Sequence, residues 1–188
     1  MKRELHFPTA IYIADIKHPT LNQELERDII AWSNKDKGVV RTNVKAWHSK
    51  TNMNEQPQFK KLVDMLYEAQ RTVYDQEHLD SEPFLGNMWA NINYPGSYNK
   101  QHIHPNSQWS GVYYVKVPKN SGNLFVEDPR PGPNIILPRR VKGIPRALWR
   151  VVIYPAIEGQ MIMFPAWVTH GVEMNESKEK GEKGWRVS

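Results

Sequence analysis

Past Leu85 the chain is broken by turn residues into apolar pieces of strand length: "KQHIH", "QWSGVYYVKV", "GNLFVED", "NIILP", "WRVVIYP", "QMIMFPAW", "THGVEM" and "GWRVS". Gly, Pro, Asn and Asp between short runs of β-branched and aromatic residues punctuate strands. Many short strands in succession bury their apolar faces by closing into a sandwich or a barrel.

The first third keeps another period. Leu21, Leu25, Ile29 and Trp32 recur at helical intervals to about residue 33, behind Thr20 and Gln23 at capping-box spacing. Phe59, Leu62, Val63, Leu66 and Val73 form a second stripe. It begins near Pro57, a residue suited to the first turn, and runs to about Tyr74. "VVRTNVKAWHSK" between the helices reads as one strand, and the N-terminal apolar segment, broken by Pro8 and Asp15, as another. The expected architecture is therefore mostly β with N-terminal helices. Residues 1–188 form one domain: 1–84 is a helical support region laid over one sheet, and 85–188 is the β core.

The 188 residues include no cysteine, which excludes thiolate ligands, disulfides and a cysteine nucleophile. Any metal must be held by His, Asp, Glu or water. No apolar run approaches the length of a membrane span, and the N-terminus lacks the pattern of an export signal. The cytoplasm is the expected compartment, and no membrane partner is expected. The formal net charge is +5. It gathers in Arg139–Arg150 and in the sign-alternating "ESKEKGEKGWR", which reads as a flexible loop. The basic surface is not one stripe, so nucleic acid is not the expected partner. The last strand reads as cut at Ser188, and a natural chain continuing past it is expected.

His102 and His104 stand two residues apart just ahead of an apolar run, a spacing that points two extended side chains the same way. Gly96 precedes His102 by five intervening residues. Downstream, Gly159, Pro165 and His170 fall in "GQMIMFPAWVTHGVEMN", with Trp167 and Asn175 departing from the pattern. These two stretches resemble the paired motifs of the cupins, which implies a double-stranded β-helix, or jelly roll, whose motif strands meet in one barrel mouth. The Glu downstream of the first cupin motif is missing.

A closer resemblance covers roughly residues 5 to 188. "INYPGSYNKQHIHP", "SGVYYV", "SGNLFVEDPR", "FPAWVTHGVEMN" and "WRVS" are similar to the 2-oxoglutarate- and iron(II)-dependent oxygenases. The H-x-H-P-x4-SG-x-YYV core resembles in particular the family of these enzymes found in bacteria and phages. The resemblance implies a dioxygenase, a hydroxylase in type, with Fe(II) as cofactor, 2-oxoglutarate as cosubstrate and O₂ as oxidant. It implies His102 and His170 as metal ligands. The usual acidic position holds His104, which leaves three readings of the third ligand: His104 itself, a water, or Asp128. It also implies Arg186 and Ser188 of "WRVS" as the clamp on the distal carboxylate of 2-oxoglutarate, with Tyr114, and less directly Tyr94, as further donors. Arg186 lies sixteen residues past His170, the charged insertion forming the loop between them.

The expected partner is an unidentified primary substrate, a small molecule or a peptide side chain; a homodimer is the assembly considered. The competing functions are a metal-binding cupin, either an isomerase or a dioxygenase that does not use 2-oxoglutarate, and a non-catalytic binding domain using Arg139–Arg150 for an anionic partner.

Overall fold

All six residues of Gln160–Pro165 are buried, so this strand is covered on both faces. Ile162 and Phe164 join Tyr114, Leu124, Val126 and Val168 in one apolar cluster. Met161 and Met163 join a second cluster with Leu21, Leu25, Ile29, Leu62 and Val73 of the two stripes seen in the sequence. Strand alternation thus sorts one set of side chains into a barrel and the other under the helices.

The computed structural model describes residues 1–2, 4, 6–136 and 138–188. In chain order the elements are β1 (Tyr12–Asp15), α1 (Pro19–Ser33), β2 (Asn43–Val44), β3 (Trp47–His48), α2 (Lys60–Gln76), β4 (Asn91–Asn93), β5 (Tyr98–His102), β6 (Trp109–Tyr113) and β7 (Leu124–Glu127). After them come α3 (Pro131–Ile135), β8 (Val151–Tyr154), β9 (Gln160–Pro165), β10 (His170–Val172) and β11 (Arg186–Val187). One sheet runs β2-β5-β10-β7-β8. The sheets β1-β9-β6 and β11-β4-β3 are joined where Val187 N–H donates to the Lys116 carbonyl and the Lys116 N–H donates back. The result is the expected double-stranded β-helix, with α1 and α2 covering the joined sheet. Tyr113 Oη ties that sheet to α1 by donating to Asn22 Oδ1 at 2.6 Å. No helix among the described residues is long and apolar enough to cross a membrane.

Several local expectations need correction. α1 is capped by His18, whose Nδ1 accepts from Leu21 N–H, and Thr20 lies inside the helix; Pro19 fixes the first turn ahead of it. "VVRTNVKAWHSK" is two strands in two sheets, because Lys45 adopts φ 54° between them. The strand expected in "NIILP" is instead the end of the short α3, with Leu137 outside the described residues. The charged insertion is not a free loop. Asn175, fully buried, donates through Nδ2 to the carbonyls of Asn93 and Gly184, and Ser177 N–H donates back to its Oδ1.

Candidate metal and carboxylate site

β5 and β10 are antiparallel neighbours, and His170 pairs with His102 in register and with Val126 on its other side. Directly paired residues share a face of the sheet, so both imidazoles point into the barrel with Val126. A register shift between His170 and Val172 brings Asn99 opposite Val172. Such a bulge lets His102 and Asn99, three positions apart, both face the cavity. Gly171 is required there, because a side chain would strike the Phe125 ring at 2.6 Å and the Asn99 carbonyl at 3.2 Å.

His104 follows two positions on. β5 ends at His102, and the segment beyond it is pinned by the His104 N–H donating to the Ala166 carbonyl at 2.9 Å. The expectation that this spacing points both side chains the same way agrees with their meeting in one cluster. His104 Nε2 lies 3.2 Å from His170 Nε2. The ring centroids of His102 lie 4.3 Å from His170 and 4.9 Å from His104. Among the described residues, these three form the one His/Cys/Asp/Glu group that can hold a metal ion, with ligand atoms within 4.8 Å of one another. Two imidazole nitrogens on one metal, each roughly 2.1 Å from it, lie about 3 Å apart. The His104–His170 spacing is already that of two ligands.

The protein also sets the tautomers. His102 Nδ1 donates to the Lys100 carbonyl at 2.7 Å and His170 Nδ1 to the Val168 carbonyl at 2.9 Å. Each bond leaves Nε2 as a lone-pair donor facing the cluster. Burial holds all three imidazoles below their ordinary value, His104 and His170 at about 4, so they are neutral at physiological pH. A neutral nitrogen face with positions left open suits Fe(II).

The same cavity, of about 910 Å³, is lined by Tyr114, Arg186 and Ser188. β11 pairs Arg186 with Asn93 of β4 and buries it to 1% exposure. Its Nη1 donates to the Ser121 and Gly122 carbonyls, at 2.6 and 3.1 Å. Its Nε has no partner, and neither does the Tyr114 Oη. Burial lowers Arg186 to about 10 and raises Tyr114 to about 12, so the first stays a cation and the second a neutral donor. Buried donors are almost always paired. Two orphaned N–H and O–H groups in one cavity, one of them on a guanidinium, call for an anionic acceptor, and a carboxylate matches the fork. The residues therefore fit both iron and the far carboxylate of 2-oxoglutarate.

Two expected residues fall elsewhere. Tyr94 packs edge-on against Trp185 with centroids 5.0 Å apart and does not line the cavity, because it follows Ile92 by two positions and packs with it in the cluster under the helices. Asp128 is engaged by Arg130, Nη2 to Oδ2 at 2.7 Å and Nε to Oδ1 at 2.9 Å, and lies outside the histidine group. That guanidinium holds its carboxyl below the usual range.

Two residues escaped the sequence reading. Trp89 stands between His104 and His48, with centroids 5.5 Å from each, and both Trp89 and His48 line the cavity. A lone His and a lone Trp in separate segments carry no spacing signal, and only the β3–β4 pairing joins them.

The sequence matches the model of the family described as "Putative 2OG-Fe(II) oxygenase" over residues 87–182. A search of curated proteins finds no match. Among solved structures, a Pseudomonas putida prolyl-4-hydroxylase is similar, with a TM-score of 0.64 and 12% identity, covering 95% of this chain and 89% of that one. A viral collagen prolyl hydroxylase from Paramecium bursaria chlorella virus-1, solved with 2-oxoglutarate, gives 0.58 and 12%, covering 94% and 91%. HygX from Streptomyces hygroscopicus, with nickel and 2-oxoglutarate bound, gives 0.58 and 10%, covering 95% and 80%. At these identities the structures share the fold.

Proposed function

Because the chain belongs to the 2OG-Fe(II) oxygenase family, we propose that His102, His104 and His170 hold Fe(II) through Nε2 and that Arg186, Tyr114 and Ser188 hold the far carboxylate of 2-oxoglutarate. The protein is an Fe(II)- and 2-oxoglutarate-dependent dioxygenase of hydroxylase type. The observation that supports the assignment best is the placement of a neutral three-imidazole face and an incompletely satisfied buried arginine in one cavity.

When bound, iron with 2-oxoglutarate and O₂ supplies the oxidation, converting 2-oxoglutarate to succinate and CO₂ while one oxygen atom enters a substrate C–H bond as hydroxyl. The chain supplies the rest. The Lys100 and Val168 carbonyls keep His102 and His170 in the ligating tautomer. Arg186, immobilised by Ser121 and Gly122, fixes where the cosubstrate's far end sits. Val112, Leu124, Phe164 and Val172 wall the cavity with apolar surface, which excludes water and strengthens the carboxylate clamp. The substrate is a small molecule or a peptide side chain; the two prolyl hydroxylases that share the fold make a peptide residue a natural first class to assay.

Succinate release measured with Fe(II) and 2-oxoglutarate, together with calorimetric binding of 2-oxoglutarate to the Mn(II)-substituted protein, tests this reading. Binding of 2-oxoglutarate that depends on the metal and weakens in Arg186→Ala is expected. Equal binding by parent and variant would contradict the clamp.

A further inference from the structure

We infer that the Arg139–Arg150 segment and the outer face of β8 form a docking surface for an acidic, apolar polypeptide partner. From Pro129 to Ile157 there are six Lys and Arg residues and no Asp or Glu, so this one segment carries more positive charge than the chain's whole surplus of +5. Arg130 and Arg150 are engaged by Asp128 and Glu127. Arg139, Arg140 and Lys142 are exposed, with no anionic partner among the described residues. A surface that serves solubility alone mixes both signs.

Beside these cations lies an apolar row. Trp149, Val151 and Ile153 alternate along β8 and its approach and are 45%, 40% and 44% exposed. Apolar side chains held outward in line next to like charges mark an interaction surface. β8 is the last strand of its sheet, and Arg146 Nη2 donates to the Ile153 carbonyl there, at 2.8 Å. That contact occupies an edge acceptor, so side chains rather than added strand pairing carry the recognition.

The chemistry favours polypeptide over nucleic acid. Unpaired bases need free aromatic faces to stack on. Here the row is mostly aliphatic, and the Trp149 indole is held by its Nε1–H donating to the Ile144 carbonyl. Glutamate or aspartate side chains interleaved with aliphatic ones match both the cations and the row.

Register sets which way the row faces. Val152 pairs with Val126, which pairs with His170, so Val152 shares the histidines' face and Val151 and Ile153 point away from the barrel. The docking surface therefore lies on the outer wall of the sheet whose inner wall carries His102 and His170.

The test is fluorescence anisotropy on the full chain, using a labelled peptide of alternating Glu and Leu, its Lys-Leu counterpart and a single-stranded oligothymidine. Binding of the Glu-Leu peptide alone is expected, weakened about tenfold or more in Arg139→Glu/Arg140→Glu/Lys142→Glu and by raised salt. Ile153→Ser, which keeps every charge, should also weaken it. Undiminished binding by the triple variant, or a preference for the oligothymidine, would overturn the proposal. The proposal stands apart from the oxygenase reading: a protein that binds 2-oxoglutarate but not the Glu-Leu peptide fails the docking surface alone, whereas one that binds the peptide but not 2-oxoglutarate fails the oxygenase assignment.

Discussion

Arg186 has two duties, and substitutions separate them. Its Nη1 satisfies the Ser121 and Gly122 carbonyls, while its Nε is left for a ligand. Hydrogen bonds to charged groups contribute about 1.5–3 kcal/mol each. Arg186→Ala should therefore raise the 2-oxoglutarate dissociation constant about ten- to a hundred-fold and lower stability, with metal affinity little changed. Arg186→Lys keeps charge without the fork and should recover part of the binding. Tyr114→Phe makes the cleaner case. Its hydroxyl has no protein partner, so the ligand-free variant should melt at the parent's temperature or above, while its 2-oxoglutarate affinity falls about tenfold. A melting point well below the parent's would mean that the hydroxyl serves the fold. At the third metal position, His104→Ala should cut metal affinity sharply and His104→Asp restore it; equal affinity in His104→Ala would hand that position to water.

Among the elements, the β5–β10 bulge and the Asn175 staple set the positions of these side chains. Gly171→Ala would force Phe125 or the Asn99 carbonyl to move, at a cost of about 1–3 kcal/mol. It should also weaken metal binding, because His170 precedes it on the same short strand; an unchanged metal affinity would separate the bulge from the site. Asn175→Ala leaves the Asn93 and Gly184 carbonyls unpaired. A loss of about 1–3 kcal/mol in chemical denaturation is expected, with looser 2-oxoglutarate binding because β11 is anchored through this residue. The sequence disclosed the elements whose signal is periodic or motif-like: both helices, most strands, and His102, His104, His170 and Arg186. It did not disclose what tertiary contacts decide. The positive φ of Lys45 that splits β2 from β3, the bond that ties His104 to Ala166, and the placing of Tyr94 against Trp185 have no local pattern. Trp89 and His48 were missed for the same reason: each belongs to the site only through a strand neighbour distant in sequence.

For the molecule as a whole, the buried imidazoles make metal-free stability depend on pH. His48, His102, His104 and His170 are all held below their ordinary value of 6.5 by burial. In the unfolded chain they take up protons near 6.5, while His104 and His170 in the fold resist until about 4. Stability is thus full above 6.5 and falls as the pH drops through that window. Thermal melts of the metal-free protein should show this fall, and a smaller one in His104→Gln; equal falls would exclude His104 as a contributor. Metal, which binds only the neutral imidazoles of the folded state, should raise the melting temperature by mass action. The central claim is that one cavity holds iron at three histidines and 2-oxoglutarate between that iron and Arg186. Anaerobic titration of the Fe(II)-loaded protein with 2-oxoglutarate, followed by visible absorption, tests it most directly. A weak charge-transfer band that saturates at one 2-oxoglutarate per chain, and needs more ligand to saturate in Arg186→Ala, is the expected result. A protein that retains its iron but develops no band would contradict it.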